Sequence, residues 1–512
     1  MTSSYPLSAH TRRSPRPPRA GLRAAVLLAA VTAVLSATTV PPASADGTAT
    51  PSALTPAAID ASVREHQEAS GVPGVAVAVT QGTRVVHARG YGTTPAGQPV
   101  TAHTPMALAS VSKSFTAMTV LQLVESGDVD LDGRVVTYLP EFTMADPRAA
   151  RITVRQLLDQ TSGMSDTTFP AFTRDQPDSL REAVASMRTG WLAADPGARH
   201  EYHNPNFQVA ARLVEVVTGR PFAEQLRDSV LDPLGMHDST TIDTDRDLPA
   251  SAHGHLKVLG HPVAAPEPPA FGNGSGGMTG TAEDMAAWLV AQNNGGRGPD
   301  GTRIASPRTL ALAHTPSPAS GSYALGWSVG ETPSGAPIVE HGGDLFTATA
   351  YQALLPETGH GVAVMANTGM AYGDAQAVAG ALIALLEQEP PAPTAGTALV
   401  WADAAFLLLA ALTVVATWRG VRRSRHWARH CAERLGLTVV RLLPLALPLL
   451  LFTVVHRIVG LLYRGRDVAW IQVSYLYPTL TALLAVAALG CALLAVVRVV
   501  ALVRERRRPE YE

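Results

Sequence analysis

Ala109-Ser110-Val111-Ser112-Lys113-Ser114-Phe115-Thr116 contains one of only two lysines in a chain of 512 residues, the other being Lys257. Arginine supplies the other 38 of the 40 basic side chains, so a lysine three residues after Ser110 marks a place where arginine would not serve. Arginine keeps its proton in proteins, whereas a desolvated lysine can become a neutral base. At i and i+3 near a helix start, hydroxyl and amine share one face. The helix N-terminus there favours negative charge on the serine oxygen and depresses the amine's pKa. A serine becomes a nucleophile in this way without a histidine.

Outward from this stretch, the apolar spacing of Phe115, Met118, Val120, Leu121 and Val124 predicts a helix over 110–126 ended by Gly127. Before it, 55–69 reads as a helix, with strands Gly74–Val79 and Thr83–His87 joined by a Gln81-Gly82 turn. After it come helical segments near 153–160, 178–194, 204–218, 221–230, 281–293 and 306–314. Strands follow at about 323–330, 337–341, 347–355 and 361–367, and then a helix at 373–388. Strands at both ends around a helical middle predict an α/β (α+β) fold: one sheet closed by N- and C-terminal pieces, with a helical insertion.

Two further motifs lie downstream. Tyr202-His203-Asn204 stands in a loop entering a helix, and His341-Gly342-Gly343-Asp344 closes what reads as an edge strand. Ser110-x-x-Lys113, Tyr202-x-Asn204 and His341-x-Gly343, in that order, resemble the serine hydrolases of the class C β-lactamase and penicillin-binding-protein superfamily. The stretches Ile152–Gly163, Pro233–Met236 and Gly276-Gly277 before Thr281–Met285 extend the resemblance over about residues 55–390. It implies a β-lactamase/transpeptidase-like antiparallel sheet flanked by helices with a helical subdomain. It also implies roles: Ser110 as nucleophile, Lys113 and Tyr202 sharing general-base and general-acid work, Asn204, His341 and Gly343 binding substrate, and main-chain N–H groups of Ser110 and Asp344 forming the oxyanion hole. β-Lactamases of this group carry Lys-Thr-Gly where this chain has His341-Gly342-Gly343, which disfavours efficient β-lactam hydrolysis and favours peptidase or esterase chemistry. Peptides, peptidoglycan-like peptides ending in D-residues, and esters are the expected substrates. A catalytically silent sensor that binds cell-wall fragments is the alternative.

Other patterns fail on their chemistry. Asp128–Gly133 opens like a calcium loop, but its twelfth position is Leu139 where a bidentate glutamate is required. His200-Glu201-x-His203 has the wrong spacing for a zinc protease, and no Gly-x-Ser-x-Gly elbow occurs. No metal or organic cofactor is expected.

The ends of the chain place the chemistry. Residues 1–45 read as a signal peptide, with five arginines, an Ala/Val/Leu run and Ala43-Ser44-Ala45, an uncleaved anchor being the alternative. Residues 46–390 form the expected hydrolase domain and 391–397 a Pro-rich linker. Three apolar stretches at 397–418, 437–462 and 474–497 are each long enough to cross the bilayer, with Pro444 and Pro448 expected to kink the second. Arginines crowd 419–434 and the tail 498–512, so both are expected on the cytoplasmic side and the hydrolase domain on the extracellular side of the cell membrane. Residues 46–394 balance to −16 and residues 395–512 to +9. An acidic exported domain argues against nucleic acid as a partner. Both cysteines, Cys431 and Cys491, fall in the membrane part, so the domain is expected to fold without disulfides and on its own.

Overall fold

The computed structural model describes residues 55–390, 396–463 and 465–507. The expected signal segment and most of the expected linker lie outside the described residues. Helix α1 (Pro56–Ser70) starts where the Thr55 hydroxyl accepts the Ala58 N–H at 3.2 Å and ends on Gly71 in the left-handed region. Strands β1 (Gly74–Gln81) and β2 (Arg84–Gly92) form the expected hairpin. Four more strands, β3 (Ser328–Glu331), β4 (Pro337–Asp344), β5 (Thr349–Leu355) and β6 (His360–Ala366), complete an antiparallel sheet in the order β2-β1-β6-β5-β4-β3.

Both faces of this sheet are covered, which is why β1 reads as a continuous apolar run. Val75, Val77 and Val79 pack with Ile59 and Val63 of α1 on one side, and Ala76 and Ala78 face the larger core on the other. Helix α2 (Ser112–Ser126) lies inside that larger core and is buried on every side from Ser112 to Leu121. Phe115 stacks on Trp288 with ring centroids 3.9 Å apart. The Trp288 indole donates to Gln352 Oε1 at 3.0 Å, and the Gln352 amide donates to Ser114 Oγ at 2.9 Å. A buried relay of polar groups thus fixes α2 against β5 and helix α4 (Ala282–Asn293), while helix α3 (Pro205–Thr218) packs within the same core. Helix α5 (Asp374–Glu387) covers the other face of the sheet over β5 and β6, with Val378 and Leu382 in the same apolar cluster as the β1 valines.

β4 is not the edge strand that the sequence suggested. β3 is the edge, but it pairs only with Pro337–Glu340, so the half of β4 that carries His341–Asp344 has β5 on one side and no strand of this sheet on the other. The predicted strand over 323–330 is shorter because the chain turns at Gly326 (φ 78°), with the Ala324 N–H donating to the Trp327 carbonyl.

Among the described residues, three helices are long and apolar enough to cross a membrane: α6 (Gly396–Arg422); a second that runs from Gly436 to Leu462, of which the C-terminal part is α7 (Ala446–Leu462); and α8 (Pro478–Arg506). The second is broken by a 3₁₀ turn at Leu443–Leu445, where Pro444 removes a donor. The third starts at Pro478 rather than 474. A proline fits the first helical turn, and Tyr477 before it is held out of the helical region (φ −138°, ψ 67°). The part built on the six-stranded sheet and these apolar helices touch. Asp403 of α6 accepts the Leu259 N–H at 2.7 Å and the Thr479 hydroxyl at 2.5 Å, and Asp467 accepts the N–H groups of Phe172 and Thr173, both at 2.7 Å.

The second lysine has a structural task. Lys257, 2% exposed, donates to Asp374 Oδ2 at 2.7 Å and to the Ser70 carbonyl at 2.9 Å. Asp374 also receives His66 and Thr368, and these partners, set against its burial, hold its carboxyl near pKa 2. Its folded pKa lies below its ordinary value, so its contribution to stability is present above about pH 4 and is lost as pH falls toward 2. Lys257→Met should destabilise the part built on the six-stranded sheet by about 3–5 kcal/mol, because a buried carboxylate is left without its cation. A thermal melt at pH 7 that matches the native protein would exclude this account.

Candidate active site

Ser110 sits in a 3₁₀ turn, Ala109–Val111, that runs directly into α2, with Ala109 held at φ 47°. That is a strained place for a residue with a side chain. The turn is tied down by Ser112, whose hydroxyl donates to the Ala109 carbonyl at 2.6 Å and accepts the Met278 N–H at 3.1 Å. β4 passes close by. A Cβ on Gly343 would lie 2.3 Å from the Leu108 carbonyl oxygen, so only glycine lets this strand lie against the turn. The final glycine of His341-x-Gly343 therefore sets how near the strand comes to Ser110.

Lys113, on the first turn of α2, is completely buried, with Nζ 3.1 Å from Ser110 Oγ. Nζ also donates to the Ser275 carbonyl at 2.5 Å. The loop that presents this carbonyl is anchored by the Thr116 hydroxyl, which donates to the Gly274 carbonyl at 2.7 Å. It presses on α3 so closely that a Cβ on Gly274 would fall 2.5 Å from Ala211 Cβ. Burial, followed by the positive charge of Arg466, pulls the Lys113 amine well below its ordinary pKa. Nζ lies 4.9 Å from the centroid of the Tyr202 ring. Burial pushes the Tyr202 phenol up to about 12 even though its hydroxyl is hydrogen bonded to Ser110. Ser110 Oγ thus stands between an amine that loses its proton easily and a phenol that keeps its own.

The Tyr202–Asn204 loop is held from a distance in sequence. Gln160 Oε1 accepts the His203 N–H at 3.0 Å and the Asn206 amide at 2.5 Å, and Asp166 Oδ1 is 2.9 Å from His203 Nδ1. The stretch 152–163 earns its place here. Thr153 and Gln156 form a capping box on the short helix Val154–Leu158, which delivers Gln160 to the loop. Asn204 leads into Pro205, the first residue of α3, and its Oδ1 is buried without a hydrogen-bond partner among the described residues.

His341 is not the part-time cation that its residue type suggested. It is 5% exposed; its Nδ1 is 2.6 Å from the Gly342 carbonyl and its Nε2 is 2.9 Å from the Tyr323 hydroxyl. A carbonyl accepts only, so Nδ1 carries the proton and Nε2 accepts from the tyrosine. Burial lowers the ring's pKa to about 3, so it is neutral at physiological pH.

Ser110, Tyr202, Asn204, His341 and Asp344 line one cleft of about 390 Å³. Gly343 lies behind this wall, against the turn. The sequence had given no sign of several other lining residues. Glu267 takes the Phe346 and Thr347 N–H groups, each at 2.8 Å, which fixes the loop after β4. Burial raises Glu267 to about 7 and Asp245 to about 8. Tyr463, Arg466 and Asp467, from the segment joining the second and third apolar helices, also line the cleft. Spacing within the hydrolase part carries no signal for any of them. The acidic turn 128–133 is tied to the short helix Val154–Leu158: the Asp132 carboxylate receives Arg155 Nε at 2.6 Å and Nη2 at 2.9 Å.

Comparison with known proteins identifies the family and the fold. The sequence model of a family described as Beta-lactamase matches residues 59–384. Penicillin-binding protein 4 of Amycolatopsis lactamdurans is 31% identical over 329 residues, which cover 61% of this chain and 84% of that protein. Protein flp of Staphylococcus aureus (strain MW2) is 27% identical over 321 residues, 61% of this chain but only 63% of the relative. Among solved structures, the octameric penicillin-binding protein homologue from Pyrococcus abyssi superposes with a TM-score of 0.55 at 25% identity, covering 65% of this chain and 78% of that one. By fold and by sequence, the chain belongs to the beta-lactamase family and joins that fold to a C-terminal region of three apolar, membrane-length helices.

Proposed function

We propose that the chain is a membrane-anchored serine hydrolase that cleaves amide or ester bonds through an acyl intermediate on Ser110, with its hydrolase part on the extracellular side. One observation carries the reading: a wholly buried lysine amine, its pKa depressed, stands 3.1 Å from Ser110 Oγ. The Ser110 hydroxyl passes its proton to the neutral Lys113 amine as Oγ bonds to the substrate carbonyl carbon. The carbonyl oxygen takes up the negative charge beside the main-chain N–H groups of Ser110 and Asp344. The proton then moves through the Tyr202 hydroxyl to the leaving amine or alcohol, whose bond to the carbonyl carbon breaks. Water, giving its proton to the same pair, releases the acid and restores Ser110.

Asn204 lines the cleft, and its side-chain amide supports an amide substrate, since such a group can both donate to and accept from a peptide bond. The name of the Amycolatopsis relative supports peptides of the kind that penicillin mimics, ending in a D-residue. The arginine-rich segments support the sidedness. Arg429 pairs with Glu505 and Arg506 donates to the Ala432 carbonyl, so loop and tail meet at the ends of the helices away from the segment that lines the cleft.

Ser110→Ala should abolish turnover and labelling by a fluorophosphonate or fluorescent penicillin while leaving the melting temperature in place. Lys113→Arg should reduce kcat/KM by about 10²–10⁴-fold, because a permanent cation cannot take the proton. An arginine variant with native rates would remove Lys113 from the role of base.

The pH profile follows from the same groups. A base with a lowered pKa gives an acid limb at lower pH than an ordinary lysine, with kcat/KM rising as the amine deprotonates. Tyr202 holds its proton to about 12 and His341 stays neutral down to about 3. Neither should therefore add a limb between about pH 5 and 10. A limb near 6.5 that His341→Gln removes would show that the histidine titrates in catalysis.

A further inference from the structure

From the residues around the cleft we infer that Arg466, in the segment between the second and third apolar helices, is the site that binds the carboxylate of the substrate. The inference rests on Ser110 as nucleophile and adds a requirement: a free carboxylate near the scissile carbonyl, held by the membrane region rather than by the hydrolase fold.

The fold itself offers no cation for such a group. His341 occupies the start of the motif where related β-lactamases have lysine, and it is neutral and committed to Tyr323 and the Gly342 carbonyl. Lys113 is buried beneath the serine. Among the described residues that line the cleft, Arg466 is the only arginine or lysine. Its guanidinium carbon lies 5.4 Å from the centroid of the Tyr202 ring, and its side chain is 47% exposed. It approaches Asp166 through Nε at 3.5 Å, and among the described residues neither Nη makes a hydrogen bond. Asp166 has its own close partner in His203 Nδ1. The planar edge of a guanidinium that keeps two free donors matches a carboxylate.

The segment is seated firmly enough to act as a wall. Asp467, next in sequence, accepts two main-chain N–H groups, Phe172 and Thr173, each at 2.7 Å. Gly465 takes the left-handed turn that brings the chain over the cleft (φ 81°), and a Cβ there would lie 3.1 Å from Thr167. Phe346, on the cleft wall, meets Tyr475 of the following short helix edge to face at 6.3 Å.

The test uses the full chain in detergent micelles and follows labelling of Ser110 by a fluorophosphonate. The protecting compounds are an acylated dipeptide with a free C-terminal carboxylate and its C-terminal carboxamide. The native protein should be protected better by the acid than by the amide. In Arg466→Gln the ratio of the two protection constants should fall roughly 10- to 100-fold, the range of a charge-assisted hydrogen bond. Arg466→Lys should recover part of it. Should Arg466→Gln not fold, Asp467→Asn loosens the same segment and must lower the ratio as well. Labelling that proceeds normally with a ratio unchanged in these variants, or with no preference for the acid in the native protein, overturns the inference and leaves Ser110 in its role. A native protein that is not labelled at Ser110 at all overturns the reading on which the inference rests.

Discussion

A lysine with no exposed surface dictates the arrangement around it. Placing an amine inside a protein penalises its charged form, and the structure relieves that penalty by letting the amine go neutral and by giving it the Ser275 carbonyl as a partner. Such an environment needs a helix buried all round. The Phe115–Trp288 stack and the Trp288–Gln352–Ser114 relay hold α2 in that position between sheet and helical insertion. The same burial that lowers Lys113 raises Tyr202, so one physical cause moves the pKa values of two groups apart on either side of one hydroxyl.

Much of this was legible in the sequence because it is written locally. Ser110 and Lys113 share a helix face, Gly127 ends α2, Pro444 breaks the second apolar helix, and the strands alternate with turn residues where the sheet forms. What stayed hidden depends on contacts between segments far apart. The residue type alone suggests that His341 titrates near neutrality, and only Tyr323 and the surrounding burial make it neutral. The edge position of β4 was half right, because a short β3 covers only its first four residues. Glu267 lies in a Pro-rich stretch with no catalytic pattern, yet it fixes the loop beside the cleft.

The scarcity of lysine carries information of the same kind at both positions. Lys113 and Lys257 are each buried and each present a compact ammonium or amine to carbonyl oxygens. A guanidinium is larger and planar and would not enter either space in the same way. Arg466, by contrast, is half exposed at the cleft wall, where a broad and permanently charged group fits.

Two aspartates tie the beta-lactamase-family part of the chain to the apolar helices. α8 has 29 residues and is about 43 Å long, against a hydrocarbon core of roughly 30 Å. Its tilt is set by its packing against α6 and α7 and by Arg504 and Arg506 in its last turn. Asp403 grips the first turn of α8 through Thr479 and the hydrolase part through Leu259, and Asp467 bonds the chain just ahead of it to Phe172 and Thr173. Any shift of α8 against the rest of the chain would therefore be carried through two carboxylates to Phe172, a residue of the cleft wall.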